Sequence, residues 1–138
     1  MLLGVGVDLL SLARLRSVLS RRNPARLAAR ILSDVEVKEW HALSTKAERS
    51  EQFLALRWAA KEAAYKALYP AVIPRWADLT VSKQGPKPVL SFSNSPRFPR
   101  PSEPDFDRIR MHLSVSHDAD LLIAYVVAEV RETQVSNA

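Results

Sequence analysis

Phe53-Leu-Ala-Leu-Arg-Trp-Ala-Ala-Lys-Glu-Ala-Ala-Tyr-Lys-Ala-Leu68 holds neither Gly nor Pro and consists of helix formers almost throughout. It stops against Pro70, which cannot continue a helix and disfavours helical geometry in the residue before it. Six of its sixteen residues are Ala, so another element can approach this helix closely. Arg57, Lys61, Glu62 and Lys66 stand out from that background. Glu62 and Lys66 are four apart and share one helical face, with Trp58 a turn earlier. An isolated Glu-Lys pair of this kind is usually an exposed salt bridge of little worth. The neighbouring segments give it a different reading.

On the N-terminal side, Leu2 to Leu9 reads as a strand. Val5, Val7 and Leu9 share one face, and Gly4, Gly6 and Asp8 share the other. Two glycines beside a carboxylate leave bare backbone for a ligand or for a packed helix. Gly4-Val-Gly6 lacks the third glycine of a dinucleotide fingerprint, and the chain has only three Gly and no phosphate loop. Ser11 is placed to cap a helix running to about Ser20, and Asn23-Pro24 to restart one. Ser33-Asp-Val-Glu36 has the capping-box pattern and opens a third helix to about Leu43. No acidic residue lies between Asp8 and Asp34, yet Arg14, Arg16, Arg21, Arg22, Arg26 and Arg30 all do. Such a run is either a solvated face or a docking strip for an acidic helix or a polyanion. No aromatic residue interleaves these arginines, which disfavours single-stranded nucleic acid.

Residues 44–50 read as a polar loop carrying Lys46 and Arg49 into the central helix. Beyond Pro70 and Pro74 the pattern changes to strands. Asp78 to Lys83 and Val89 to Phe92 flank Gln84-Gly-Pro-Lys-Pro88, a hairpin by turn chemistry. Residues 94–107 carry four prolines and read as a surface loop inside the domain. Arg110 to Ser116 alternates, with Met111, Leu113 and Val115 inward. His117-Asp-Ala-Asp120 turns, and Leu121 to Val130 returns as an apolar strand.

The 138 residues suit one domain over 1–130, with 131–138 expected to fray. Absence of Cys excludes disulfides and thiolate metal sites. No apolar run approaches the roughly 20 residues of a membrane span, and Met1 opens directly on the first strand without a targeting pattern. A net charge of +5 points to an acidic partner, whether nucleic acid, anionic lipid, a phosphorylated ligand or an acidic protein, and charge alone does not choose among them.

Gly4-Val-Gly-Val-Asp8, Arg57-Trp-Ala-Ala-Lys-Glu-Ala-Ala-Tyr-Lys-Ala-Leu68 and His112-Leu-Ser-Val-Ser-His-Asp118 stand in the order and spacing of the acyl-carrier-protein synthases. This family is the short, homotrimeric type of phosphopantetheinyl transferase, and the resemblance runs from Leu3 to about Glu129. It implies transfer of the phosphopantetheine arm of coenzyme A to a serine of an acidic acyl carrier protein, with magnesium. Neither nucleic acid nor membrane is an expected partner. By the same resemblance Asp8 and Glu62 are the metal ligands and Lys66 contacts phosphate. Glu62 and the His117/Asp118 pair are both candidates for taking the serine proton. Ser114, Ser116 and His117 belong to the coenzyme site, and Lys46, Arg49 and Arg57 are candidate phosphate contacts. Arg14, then Arg21, match the helix that receives the carrier.

Magnesium needs only one or two protein carboxylates beside phosphates and waters, which suits the Asp8/Glu62 pair. Tyr69-Pro-Ala-Val-Ile73 departs from the family's glycine-containing loop, Pro86 is an insertion in its Gly-Lys-Pro turn, and the proline-rich loop replaces a more regular segment. These departures suit a divergent, fungal mitochondrial member better than a typical bacterial one. The expected fold is α+β, a helical N-terminal half packed on a mostly antiparallel sheet. Two alternatives stand beside the transferase: a magnesium-dependent phosphohydrolase using the same carboxylates, and a non-catalytic basic module binding an acidic protein or RNA.

Overall fold

In the computed structural model, which describes residues 1–43, 45–93 and 105–132, the Ala-rich helix lies across a three-stranded antiparallel sheet. The chain runs β1 (Leu2–Ser11), α1 (Leu12–Arg21), α2 (Pro24–Ile31), α3 (Asp34–Leu43), α4 (Ala47–Leu68), a 3₁₀ turn (Trp76–Asp78), β2 (Leu79–Gln84), β3 (Lys87–Phe92), a second 3₁₀ turn (Phe106–Arg108), β4 (Ile109–Asp118) and β5 (Leu121–Val130). The larger sheet has the order β1-β5-β4, and β2-β3 form a separate hairpin. The α+β expectation holds, with the sheet divided in two. The first strand joins the late ones, with Val7 opposite Tyr125 and Leu9 opposite Ile123.

Close packing of α4 on β1 depends on the glycine face. A Cβ on Gly6 would collide with the Ala63 carbonyl oxygen, and one on Gly4 with that of Ala67. Small residues on both elements thus let backbone meet backbone. Across the same face, Ala124, Val126 and Ala128 of β5 are fully buried. The valine face points the other way: Val5, Val7 and Leu9, with Leu121, Ile123 and Tyr125, are 39 to 63 % exposed.

The expected caps are present. The Ser11 hydroxyl accepts from Arg14 N, Asn23 Oδ1 from Ala25 N, and Glu36 Oε1 from Ser33 N at 2.9 Å. The 44–50 loop is a correction: α4 already begins at Ala47, because Ala47, Glu48 and Arg49 are good helix formers and Glu48 sits in the first turn where the helix dipole favours a negative charge. The 94–104 part of the proline-rich loop and residues 133–138 lie outside the described residues.

Candidate active site

Asp8 and Glu62 are brought together by the glycine contact. Lowering α4 onto β1 brings the Lys66 ammonium to the Val7 carbonyl at 2.8 Å and to Asp8 Oδ1 at 3.4 Å. Glu62 stands one turn before Lys66 on the same face. Burial pushes its carboxyl above the ordinary glutamate range, the Asp8 charge adds to the rise, and Lys66 opposes it. The two carboxylates therefore share one field, with a cation already drawn to it. Two hard oxygen donors around a cationic position suit magnesium, which leaves most of its octahedron to water and phosphate. Among the described residues no group of three or more His, Asp or Glu is arranged to hold a metal ion.

The second expected group is placed elsewhere. Strand β5 separates β1 from β4, so Asp8 faces Ala124 and Ala124 faces Val115. Ser114 and Ser116 alternate with the buried Leu113 and are exposed on the opposite side of the sheet from Asp8. His117 and Asp118 are exposed at the end of β4. One chain therefore keeps Ser114 and Ser116 away from the carboxylate pair, whereas His117, level with Leu122 and Leu10, lies on the Asp8 face of the sheet. The turn itself is shorter than expected, just Ala119-Asp120, with Ala119 at φ 49°. Sequence reading missed that Asp120 pins this turn to α1: its carbonyl accepts from Leu12 N at 2.8 Å and its Oδ2 from Ala13 N at 2.9 Å.

Arg57 requires correction. Instead of reaching a coenzyme phosphate it is 6 % exposed. Its guanidinium lies over the Phe53 ring at 3.4 Å and approaches Glu36 at 3.5 Å and Glu39 at 3.7 Å. Burial lowers the guanidinium's pKa, and the Glu36 and Glu39 charges offset part of that fall. The same network holds Glu36 and Lys61, whose pairing sequence reasoning did not foresee. Glu36 is fully buried, and Lys61 meets its Oε1 at 2.5 Å. The Ser33-x-x-Glu36 box signalled a cap but not a buried ion pair. Arg49 and Lys46 remain exposed, as do Arg14 and Arg21 on α1.

Residues 4–125 match the profile of the 4'-phosphopantetheinyl transferase superfamily. The chain belongs to that superfamily. Among relatives of this transferase, the holo-[acyl-carrier-protein] synthase of Vibrio cholerae is 35 % identical over 135 residues, covering 95 % of this chain and all of that one. That of Anaeromyxobacter is 32 % identical over 129 residues, covering 94 % and 97 %. The crystal structure of the Bacillus anthracis holo-(acyl-carrier-protein) synthase in complex with CoA (3',5'-ADP) superposes with a TM-score of 0.69 at 30 % identity, covering 94 % of this transferase and 98 % of that chain. The Neisseria meningitidis enzyme gives 0.72 at 28 %, covering 94 % and 99 %.

Proposed function

We propose that this transferase moves the 4'-phosphopantetheine arm of coenzyme A onto a serine hydroxyl of an apo-acyl carrier protein, releasing adenosine 3',5'-bisphosphate, with magnesium held by Asp8 and Glu62. The observation that carries the reading is the Asp8, Glu62 and Lys66 cluster at the glycine contact of β1 and α4. The serine oxygen attacks the phosphorus that bears pantetheine, the bond to the nucleotide phosphate breaks, and the serine proton leaves to a base. Lys66 is placed to neutralise charge growing on the pyrophosphate. Bound magnesium would supply further charge neutralisation at those oxygens. Glu62 and the His117/Asp118 pair remain the two candidates for the base. Arg49, Ser114, Ser116 and His117 are proposed as coenzyme contacts.

Intact-mass measurement of an apo-carrier incubated with coenzyme A and the transferase tests this directly. The carrier gains one phosphopantetheine arm. An unmodified carrier with free phosphopantetheine in solution would establish the phosphohydrolase instead.

The acid-free arginine run is proposed as the carrier's docking strip. Arg14→Glu or Arg21→Glu raises KM for the carrier by roughly five- to tenfold, and KM for coenzyme A hardly changes. Added salt acts in the same direction, because exposed charges are screened over roughly 8–10 Å at physiological ionic strength. Equal loss for both substrates would count against a separate strip.

Assembly belongs to the same proposal. The exposed face of Val5, Val7, Leu9, Leu121, Ile123 and Tyr125 is a surface that proteins normally cover. Cyclic closure of a homotrimer covers three copies at once. It would also bring Ser114, Ser116 and His117 of one chain toward the carboxylate pair of the next. Light scattering then reports about three times the 15.5 kDa chain. Co-refolded Glu62→Ala and His117→Ala chains recover part of the activity, since some sites contain both groups intact. A fully active monomer at nanomolar concentration would eliminate the shared site. Among the described residues no helix is long and apolar enough to cross a membrane. An intracellular placement, bacterial cytoplasm or fungal mitochondrial matrix, completes the reading.

A further inference from the structure

The Lys61 ammonium has three N–H donors, and oxygen acceptors from three separate elements surround it. They are the Ile31 carbonyl ending α2 at 2.8 Å, Glu36 Oε1 on α3 at 2.5 Å and the Trp76 carbonyl in the 3₁₀ turn at 3.1 Å. Lys61 itself is 2 % exposed. Beyond it, Glu36 Oε2 accepts from Val81 N at 2.9 Å, which extends the network to β2. Burial lowers the lysine's pKa, and Glu36 opposes the change. Stability alone does not demand this arrangement, since well-packed apolar groups often replace a buried ion pair at no cost. Three convergent acceptors do fix a geometry.

That geometry borders the reaction. Lys61 and its neighbour Glu62 line a cavity of about 320 Å³, whose other walls include Tyr65, Pro74, Arg75 and Trp76. Lys61 is thus a direct tie between α4 and the wall that faces Glu62. We propose that Lys61 is a positioning residue for the transfer reaction: its hold on the Trp76 carbonyl fixes the Pro74–Trp76 wall relative to Glu62 and so fixes how the reacting end of coenzyme A lies against the carboxylate. The proposal rests on the transferase reading. Displacements of about 1 Å at a reacting centre can reduce a rate by roughly 100-fold.

The test compares the full chain with Lys61→Met and Lys61→Arg, assayed well below the lower Tm. Lys61→Met lowers Tm, because Glu36 keeps its charge and loses its nearest cation. Where this variant is fully folded its kcat is still roughly 10–100-fold down, with KM for the carrier unchanged. Lys61→Arg keeps the charge and the fold. Its planar guanidinium cannot meet three convergent acceptors as an ammonium does, so kcat falls there too. Wild-type kcat in either folded variant overturns the proposal, as does a kcat that simply follows Tm across the series. An inactive wild-type chain in the same assay would instead reject the transferase reading, which keeps the two failures apart.

Discussion

Glu62→Ala folds and no longer transfers the arm, and Asp8→Ala does the same. The expected loss in kcat is about 10³-fold or more, beyond what a single hydrogen-bond donor usually contributes at a charged transition state. A second readout does not depend on activity. Magnesium raises the Tm of the wild-type chain, because a ligand that binds only the folded state stabilises it, and leaves both variants unmoved. Without metal the sign reverses for the isosteric change. The Glu62 carboxyl is raised by burial first and by Asp8 second, so the folded chain keeps a proton that the unfolded chain has already lost. Stability from this group is full below the ordinary glutamate pKa of about 4.3 and is lost as pH rises through the higher folded value. At neutral pH in chelator, Glu62→Gln is therefore more stable than wild type, and the gain vanishes in acid. Both Ala variants transferring at the wild-type rate would place the site elsewhere.

Gly6→Ala is expected to cost about 3 kcal/mol or more, the upper end of overpacking penalties and a large share of the stability of a small domain. The added Cβ collides with the Ala63 carbonyl, and backbone cannot rotate away as a side chain can. Relief requires α4 to lift from β1, which also pulls Lys66 from Val7 and Asp8. Denaturant unfolding should show the loss, and any residual folded protein should bind magnesium poorly. Gly85→Ala is the control. Nothing lies near its Cβ, and only the φ of +59° resists the change, so it costs about 1 kcal/mol. Similar midpoints for the two variants would mean that the helix does not depend on a bare strand.

The grouping of Asp8, Glu62 and Lys66 was legible because its clues are local. Period two put Gly4, Gly6 and Asp8 on one strand face, and the four-residue spacing put Glu62 above Lys66. Caps at Ser11, Asn23 and Ser33 set the helix starts for the same reason. The α4 start was misread because Ala47 to Arg49 look loop-like only beside the polar residues before them.

Arg57 and Lys61 are also four apart, one residue and about 100° from the row of Trp58, Glu62 and Lys66. Spacing alone makes the two rows equivalent. Sequence therefore determined which side chains share a face, which segments form helix or strand, and the family to which the chain belongs. Only the tertiary structure decided that the Arg57–Lys61 row turns inward onto Glu36, whereas Glu62 and Lys66 stay at the edge with Asp8. It also decided that Ser114 and Ser116 face away from that pair across β5. Periodicity is a property of one element, but desolvation depends on which other element covers a face. Here the covering groups come from α3, the Trp76 turn and β1, far away along the chain.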